Sequence, residues 1–283
     1  MRCRAIACAA VLSFATAAVA QVRTHLAYQV AGDTKIETVT TADVEGSLFM
    51  PIMGRMAYQA KEKSTTTGQL VEEPYGDTGD WKVTGTKTID ATFNDAPQDR
   101  RTESLGPAVF TFNEQGELQG TKLEPFDPTQ ENIARFRWWS YITQQLDLPP
   151  ALPFEDVAPG ETWSSAVVLS GPDGKPLRGK AQYKFLGTGS GTDQDIAWIR
   201  EETTVPIKVR ISEDTGRLEV DGKIRVDRLF AFDTDKGMTA GSTERSTADL
   251  AIKLESDTGE EFEAQIILHR TAKTTVKHVA GDG

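Results

Sequence analysis

Cysteine is absent from this sequence after residue 8, and histidine is scarce. The cysteines are Cys3 and Cys8, and the histidines are His25, His269 and His278. Beyond residue 8 the chain therefore offers no disulfide and no thiol nucleophile. The histidines form no H-x-H or HExxH arrangement, so a zinc site has no support in the sequence. We predict a protein that carries no metal ion and no other cofactor.

Motifs of the common hydrolases and nucleotide-binding enzymes are also lacking. No serine lies in a G-x-S-x-G turn, and the glycines at 187–191 fall between strand patterns with no helix to receive a phosphate. Acidic turns at 77–80 and 233–235 lack the spacing of a calcium loop and are typical of solvated turns. A dispersed Ser-His-Asp triad stays open. We predict that the protein is not an enzyme.

Long apolar runs are missing except at the start of the chain. Arg2 and Arg4 precede an apolar run at 5–19, which ends in the small-residue triplet at 18–20. This is the pattern of a secretory signal peptide, and the run is shorter than the roughly 20 residues that span a bilayer. We predict cleavage after Ala20, a location in the periplasm or outside the cell, and no membrane span in the mature chain.

Positive charge is in deficit. The chain has 31 Lys and Arg against 42 Asp and Glu, a net charge of −11. Loss of Arg2 and Arg4 with the signal peptide makes it −13, since no other charged residue lies in 1–20. So acidic a protein repels phosphate backbones and anionic lipid headgroups, which excludes nucleic acid as an expected partner.

What the sequence does contain is alternation of apolar and polar residues with a period of two. It is plain at Ile207, Val209 and Ile211, and it is broken by polar, glycine-bearing turns. Such alternation predicts half-buried antiparallel strands. The turns that we predict lie at 113–116, 171–174, 213–216, 221–222, 233–237 and 256–259, with longer exposed connections at 64–80 and 94–106.

One stretch, 127–163, has the features of a helix followed by a proline hinge. Asp127 is a capping residue and Pro128 suits the first helical position. Phe136, Trp139, Ile142 and Leu146 form an apolar stripe at helical spacing, and Pro149, Pro150 and Pro153 end the helix. We predict an amphipathic helix over 128–146.

The predicted fold is mainly β with one helix. We expect a curved antiparallel sheet, or two related half-sheets, packed on a central amphipathic helix. The segments are a signal peptide at 1–20, an N-terminal antiparallel half at 21–126, the helix and hinge at 127–153, and a C-terminal antiparallel half at 154–283. We expect the two halves to form one compact unit.

Aromatic residues and methionines supply the candidate ligand-binding positions. They lie in the helix and in a methionine-rich segment near residue 50: Phe136, Trp138, Trp139, Ile142, Met50 and Met53. Such residues either fill a core or line an adaptable apolar pocket, and core filling is the commoner role. The helix is accordingly either a plug in the concavity of the sheet or the lid of a pocket, and the sequence favours the plug.

A resemblance rests on two short motifs. The stretch from Leu152-Pro153 to Pro159-Gly160-Glu161-Thr162-Trp163 and the hairpin from Phe232-Asp233 to Gly237 resemble exported bacterial proteins of unknown function. The arrangement is also loosely similar to the lipoprotein-carrier (LolA-like) proteins. That resemblance implies a curved sheet around a helix-covered hydrophobic cavity and the binding of a lipid. It implies no catalytic residue.

Two functions follow as hypotheses. The first is an exported, non-enzymatic protein that binds a lipid or another hydrophobic small molecule between the sheet and the helix. The alternative is a scaffold of the cell envelope that docks an envelope protein through sheet edges or through the segment 64–80.

Overall fold

The computed structural model describes residues 23–29, 35–51, 54–71, 78–123, 137–190, 195–213, 216–256, 259 and 261–279. The predicted signal peptide at 1–20, the helix cap at Asp127 and the candidate residues Phe136 and Met53 lie outside these ranges.

The described residues form twelve strands and one helix. The strands before the helix are β1 Lys35–Met50, β2 Gly54–Val71, β3 Thr78–Phe93, β4 Ala96–Pro97, β5 Arg101–Asn113 and β6 Leu118–Lys122, and the helix is α1 Arg137–Leu146. The strands after it are β7 Thr162–Ser170, β8 Pro176–Thr188, β9 Ile196–Glu213, β10 Gly216–Asp233, β11 Met238–Ser256 and β12 Glu261–Val279.

All strands belong to one antiparallel sheet, in the order β6-β5-β3-β2-β1-β12-β11-β10-β9-β8-β7, with the short β4 paired to β3 alone. The two halves of the sequence meet where β1 pairs with β12, from Lys35 opposite Val279 to Phe49 opposite Gln265. Strands from 21–126 and from 154–283 are therefore neighbours in a single sheet.

The expected sheet packed on a central helix is wrong, because the sheet closes on itself. Its eleven ordered strands curl until the edge strands β6 and β7 lie side by side as a nearly closed barrel. The Ser170 hydroxyl on β7 donates to the Thr121 carbonyl on β6 at 3.3 Å, although no ladder joins these strands among the described residues. The helix therefore packs inside the barrel, among inward side chains of several strands, and does not form a layer against one face of an open sheet.

The alternation in each strand separates the inside of the barrel from the outside. On β9 the inward side chains are buried and mostly apolar: Ala197, Ile199, Val205, Ile207 and Val209. The side chains between them are exposed and largely charged or polar: Arg200, Glu202, Thr204, Lys208 and Arg210. The alternation therefore places the apolar side chains of β9 in the interior of the barrel and its charged and polar side chains in contact with water.

Three predicted connections are strands in whole or in part. The predicted exposed connection 94–106 contains β4 and the beginning of β5, where Glu103 and Leu105 are buried. The segment 64–80 continues β2 to Val71 and resumes in β3 at Thr78, and the predicted turn at Asp221-Gly222 lies within β10. Gly222 faces inward where β11 comes close, since a Cβ there would be 2.1 Å from the carbonyl oxygen of Asp249. Glycine at this position allows the close approach of two backbones and does not mark a turn.

The helix ends at Leu146, where the apolar stripe predicts its end. Its beginning in the sequence prediction, 128–136, lies outside the described residues. Trp139, Ile142 and Leu146 are buried in a cluster with inward side chains of several strands. Of the helices in the described part of the chain, none is long and apolar enough to cross a membrane.

The interior has three zones along the barrel axis. We call the end with the β10–β11 turn the upper end and the end with the β7–β8 turn the lower end. The lower zone is a packed apolar core that includes Met50, Val209, Leu218 and Ile252 together with the apolar face of α1. Above it lies a layer of buried charged residues, and above that a cavity opens at the upper end.

Candidate ligand-binding site

The cavity at the upper end, which we call the chamber, has a volume of about 670 Å³. Its walls come from inward positions of seven strands, β1, β2, β3, β5, β10, β11 and β12. The apolar members include Ile36, Leu70, Trp81, Phe110, Phe230, Met238 and Val276. These positions are inward because the period-two alternation of each strand places them there, so the strand pattern itself builds the apolar wall.

The floor of the chamber is the layer of charged residues, which we call the charged belt. Its members are Glu62, Lys87, Asp147, Glu201, Arg228, Glu244 and Arg270. All are buried except Asp147, whose side chain is 21% exposed. Five of the seven line the chamber, and Glu201 and Glu244 lie behind the two arginines.

Glu244 is the centre of the charged belt. One carboxylate oxygen accepts a hydrogen bond from Arg228 and the other accepts one from Arg270, each at 2.5 Å. Although burial disfavours the charge of Glu244, the two guanidinium groups lower its pKa to about 2. The carboxylate is therefore ionised, and it holds β10, β11 and β12 together from the inside.

Glu201 lies on the other side of Arg228 and is in a less favourable position. Its carboxylate is 3.5 Å from the guanidinium and accepts a hydrogen bond from the Thr203 hydroxyl. Burial raises the pKa of Glu201, against the opposing effect of Arg228. A buried carboxyl with a weaker partner takes up a proton more readily than one with two partners.

Lys87 completes the floor on the wall formed by β2 and β3. Its ammonium nitrogen is 3.0 Å from the Glu62 carboxylate and 3.4 Å from the Ser140 hydroxyl of α1. The ammonium group thus connects the wall to the helix. Contact between buried charges of opposite sign offsets part of the large desolvation penalty that either charge would have alone.

The polar face of α1 forms the rest of the floor. Ser140, Thr143, Gln144 and Asp147 line the chamber, while Trp139, Ile142 and Leu146 point into the lower core. The two sets have the same helical spacing, displaced by one residue. The helix therefore separates the packed lower core from the open chamber.

The chamber is bordered at its mouth by the segments 23–29 and 148–158. Thr24 and Val157 exchange two backbone hydrogen bonds, of 2.8 and 3.0 Å, and the Tyr28 hydroxyl donates to the Pro150 carbonyl. Tyr28 also packs edge-on against Phe232. Phe154, another lining residue, is 77% exposed, so the mouth presents an aromatic side chain to the outside.

The candidate residues from the sequence fall into two groups. Trp139, Ile142 and Met50 are buried together in the lower core and are not among the residues that line the chamber. Phe136 and Met53 lie outside the described residues, as does the side chain of Trp138. As ligand contacts all six stay predictions.

The residues of the charged belt were not identified from the sequence, although their positions in the alternating pattern of the strands point to them. Arg228 occupies an inward position between Val226 and Phe230 on β10, where the alternation calls for an apolar residue. Glu244 and Arg270 interrupt β11 and β12 in the same way. A charge at an inward position of a strand predicts a partner on a neighbouring strand.

Metal ligands do not gather in the described part of the chain. No group of three or more His, Cys, Asp and Glu side chains there is arranged to hold an ion.

Comparison with known proteins identifies no relative by sequence. No family model matches the chain, and no curated protein matches it.

Solved structures give matches at low similarity. A lipovitellin structure, which concerns lipid–protein interactions, has a TM-score of 0.45 at 9% identity and covers 90% of this chain. This chain spans about a quarter of that one, 26%. An outer membrane channel from Pseudomonas putida F1 has a TM-score of 0.30 at 6% identity, covering 88% of this chain and 97% of the other. OccK7 (OpdD) from Pseudomonas aeruginosa has a TM-score of 0.25 at 7% identity, covering 87% and 100%.

Proposed function

We propose that this protein is exported and non-enzymatic, and that it binds a ligand with a long apolar part inside the chamber. The observation that carries the proposal is the chamber itself, a cavity of about 670 Å³ with apolar walls. Sites for small molecules have volumes of about 300 to 1,000 Å³ and mostly apolar linings.

The size of the chamber argues against a mere packing defect. Protein interiors are close-packed, and at about 24 cal/mol per Å³ a dry void of 670 Å³ would cost on the order of 15 kcal/mol. That is comparable to the whole stability of a typical domain, about 5 to 15 kcal/mol. The chamber is therefore filled, by water or by a ligand. The walls carry hydroxyl groups, such as those of Thr38, Ser64 and Thr274, but most of their surface is apolar, which favours an occupant with a long apolar part.

The outer surface supports the same location for the ligand. Most outward positions on β9 are charged or polar, among them Arg200, Glu202 and Lys208. The exposed large apolar side chain of this strand is Trp198, beside Leu186 on β8, so this side of the barrel offers an apolar ligand fewer contacts than the chamber does. The interior instead provides a gradient of polarity, from the apolar walls of the chamber to the charged belt at its floor. A ligand with an apolar chain and one polar end matches that gradient, with its polar end at the floor.

Occupancy of the chamber is tested by filling it. Thr66 on β2 lines the chamber, while the next residue, Thr67, is exposed on the outer face. We expect Thr66→Phe to weaken the binding of a neutral hydrophobic dye such as Nile red at least about tenfold, because the ring takes up ligand volume. Thr67→Phe adds the same ring outside and should leave dye binding unchanged.

Native mass spectrometry of the purified full chain provides a second measurement. A bound apolar molecule that is present in the wild type and in Thr67→Phe, but absent in Thr66→Phe, supports the proposal. Equal dye binding by both variants and the wild type would show that the chamber is not the site.

A further inference from the structure

The charges on the chamber floor are nearly balanced. The charged belt contains three cations, Lys87, Arg228 and Arg270, and four carboxylates, Glu62, Asp147, Glu201 and Glu244. A further buried carboxylate, Glu103 of β5, lies opposite Lys87 and pairs with Arg101 at 3.4 Å, so this pair adds no net charge. The balance is one negative charge when all the carboxylates are ionised.

Each cation of the floor is already engaged by a carboxylate. Lys87 is 3.0 Å from Glu62, Arg270 is 3.2 Å from Asp147, and both arginines share Glu244. An anionic headgroup would therefore meet no cation without a carboxylate beside it, since even the Nε of Arg270, which makes no hydrogen bond, is 3.8 Å from a Glu62 oxygen. It would have to lose its water in an enclosed site and compete with carboxylates that are held in place.

A cationic headgroup meets the corresponding obstacle. Glu62, Glu244 and Asp147 each lie within 4 Å of a lysine or arginine, so an added ammonium would be placed beside existing cations. An uncharged headgroup loses less free energy on leaving water. It can hydrogen-bond to the Ser140 hydroxyl and the Gln144 amide, which line the floor and offer both donors and acceptors.

We propose that the ligand of the chamber is a neutral amphiphile, a long-chain alcohol or an acylglycerol, whose uncharged hydroxyl end lies on the charged belt. This inference rests on the proposed binding function and adds to it the chemical class of the ligand. The belt acts as a selectivity element that holds a polar end without attracting a charged one.

A matched series of probes tests the class. Decanol, decanoate and decylammonium share one chain length and differ in head charge, and each can displace Nile red from the full chain at neutral pH. We expect decanol to displace the dye at a concentration at least about tenfold lower than either ion. Decanoate or decylammonium binding as tightly as decanol would overturn the headgroup inference and leave the binding function standing. If neither the dye nor any probe binds, the binding function and the headgroup inference fall together.

A change in the charge balance of the chamber floor tests whether the charged belt causes the preference for an uncharged headgroup. Asp147→Asn removes one carboxylate from the floor, and we expect the affinity for decanoate relative to decanol to rise at least about tenfold, because Arg270 gains free positive charge. Asp227→Asn is the matched control. It changes the net charge equally, but Asp227 lies on the outer face, where its carboxylate is 2.7 Å from Arg200.

Glu62→Gln is a second variant of the floor, which keeps the test decisive if Asp147→Asn does not fold. It should shift the ratio in the same direction, since it releases Lys87 from its partner. An unchanged ratio in the folded floor variants, or an equal shift in Asp227→Asn, would refute the role of the charged belt.

Discussion

Asp147 and Arg270 face each other inside the barrel, with a carboxylate oxygen 3.2 Å from a guanidinium nitrogen. Asp147 directly follows α1, and Arg270 lies in β12 beside the pairing with β1. The ion pair therefore fixes the end of the helix against the wall where the two halves of the sequence meet. It also sets the height of the chamber floor.

Removal of this contact should loosen the helix. We expect Asp147→Ala to lower the free energy of unfolding by about 1 to 3 kcal/mol, because Arg270 is buried and keeps only part of its partners. Urea denaturation followed by tryptophan fluorescence measures the loss. Asp156→Ala is the control, since Asp156 pairs with His25 at the exposed surface and should cost under about 0.5 kcal/mol. Equal losses in the two variants would contradict the role of Asp147.

The charged belt should make stability depend on pH. The pKa of Glu244 is lowered from 4.5 to about 2, so the stability that its ionised form provides is present above the unfolded-state value near 4.5. It is lost as the pH falls from about 5 towards 2, and it amounts to about 3 kcal/mol at neutral pH.

Glu244→Gln isolates this contribution from that of the other carboxylates. We expect the variant to be less stable than the wild type at pH 7 and the difference to shrink as the pH is lowered through this range. Denaturation curves at a series of pH values provide the measurement. A difference that stays constant with pH would show that Glu244 does not titrate as described.

Ile142 distinguishes a core position from a ligand contact. Its side chain is 0% exposed in the lower core, so Ile142→Ala should cost about 2 to 5 kcal/mol of unfolding free energy. Since Ile142 is not among the chamber-lining residues, the affinity of the folded variant for Nile red should be unchanged. Leu186→Ala, at a position that is 46% exposed, should change neither quantity appreciably. Weaker dye binding by folded Ile142→Ala would instead support the sequence-based assignment of Ile142 as a ligand contact.

Substitution of Gly222 by a residue with a side chain should lower the stability of the protein. In Gly222→Ala the new methyl group would lie 2.1 Å from the Asp249 carbonyl oxygen, so β10 and β11 would have to separate locally. We expect a loss of about 1 to 3 kcal/mol in chemical denaturation. Gly120→Ala is the matched change on β6, where a Cβ has no neighbour within 4 Å. If both glycines tolerate alanine equally well, the close approach of the two strands is not real.

The strand content of the fold could be predicted because strands and turns have local sequence patterns. The alternation at Ile207 and Val209 and the turn at 233–237 identify β9 and the β10–β11 hairpin, and the structure confirms them. Closure could not be predicted in this way. It depends on the pairing of β1 with β12 and on the approach of β6 to β7, and residues far apart in sequence leave no local pattern for such contacts. The Asp221-Gly222 pair shows the converse, since a dipeptide typical of turns serves here to let strands approach.

The candidate site could be predicted only in part, because the helix face on its floor is polar and has the same sequence pattern as a helix face that is exposed to solvent. The stripe of Trp139, Ile142 and Leu146 predicts the buried face of α1 correctly. Its opposite face, with Ser140 and Asp147, has the composition of a solvent-exposed surface, and only the closed barrel places it on a chamber floor. Arg228 and Glu244 are recognisable from their inward positions, but their partnership requires the strand register.

The pairing of β1 with β12 has a consequence for how the molecule forms. Because β12 lies between β1 and β11 in the sheet, the barrel cannot be assembled progressively from one end of the chain. A nascent polypeptide that lacks 261–279 has two long unpaired edges, at β1 and at β11, which are templates for aggregation. Refolding should therefore be slow, in the range of milliseconds to seconds for sheets with distant partners, and deletion of 261–283 should yield an aggregating chain in stopped-flow and light-scattering experiments. Completion of the polypeptide is thus the event that commits it to its native topology.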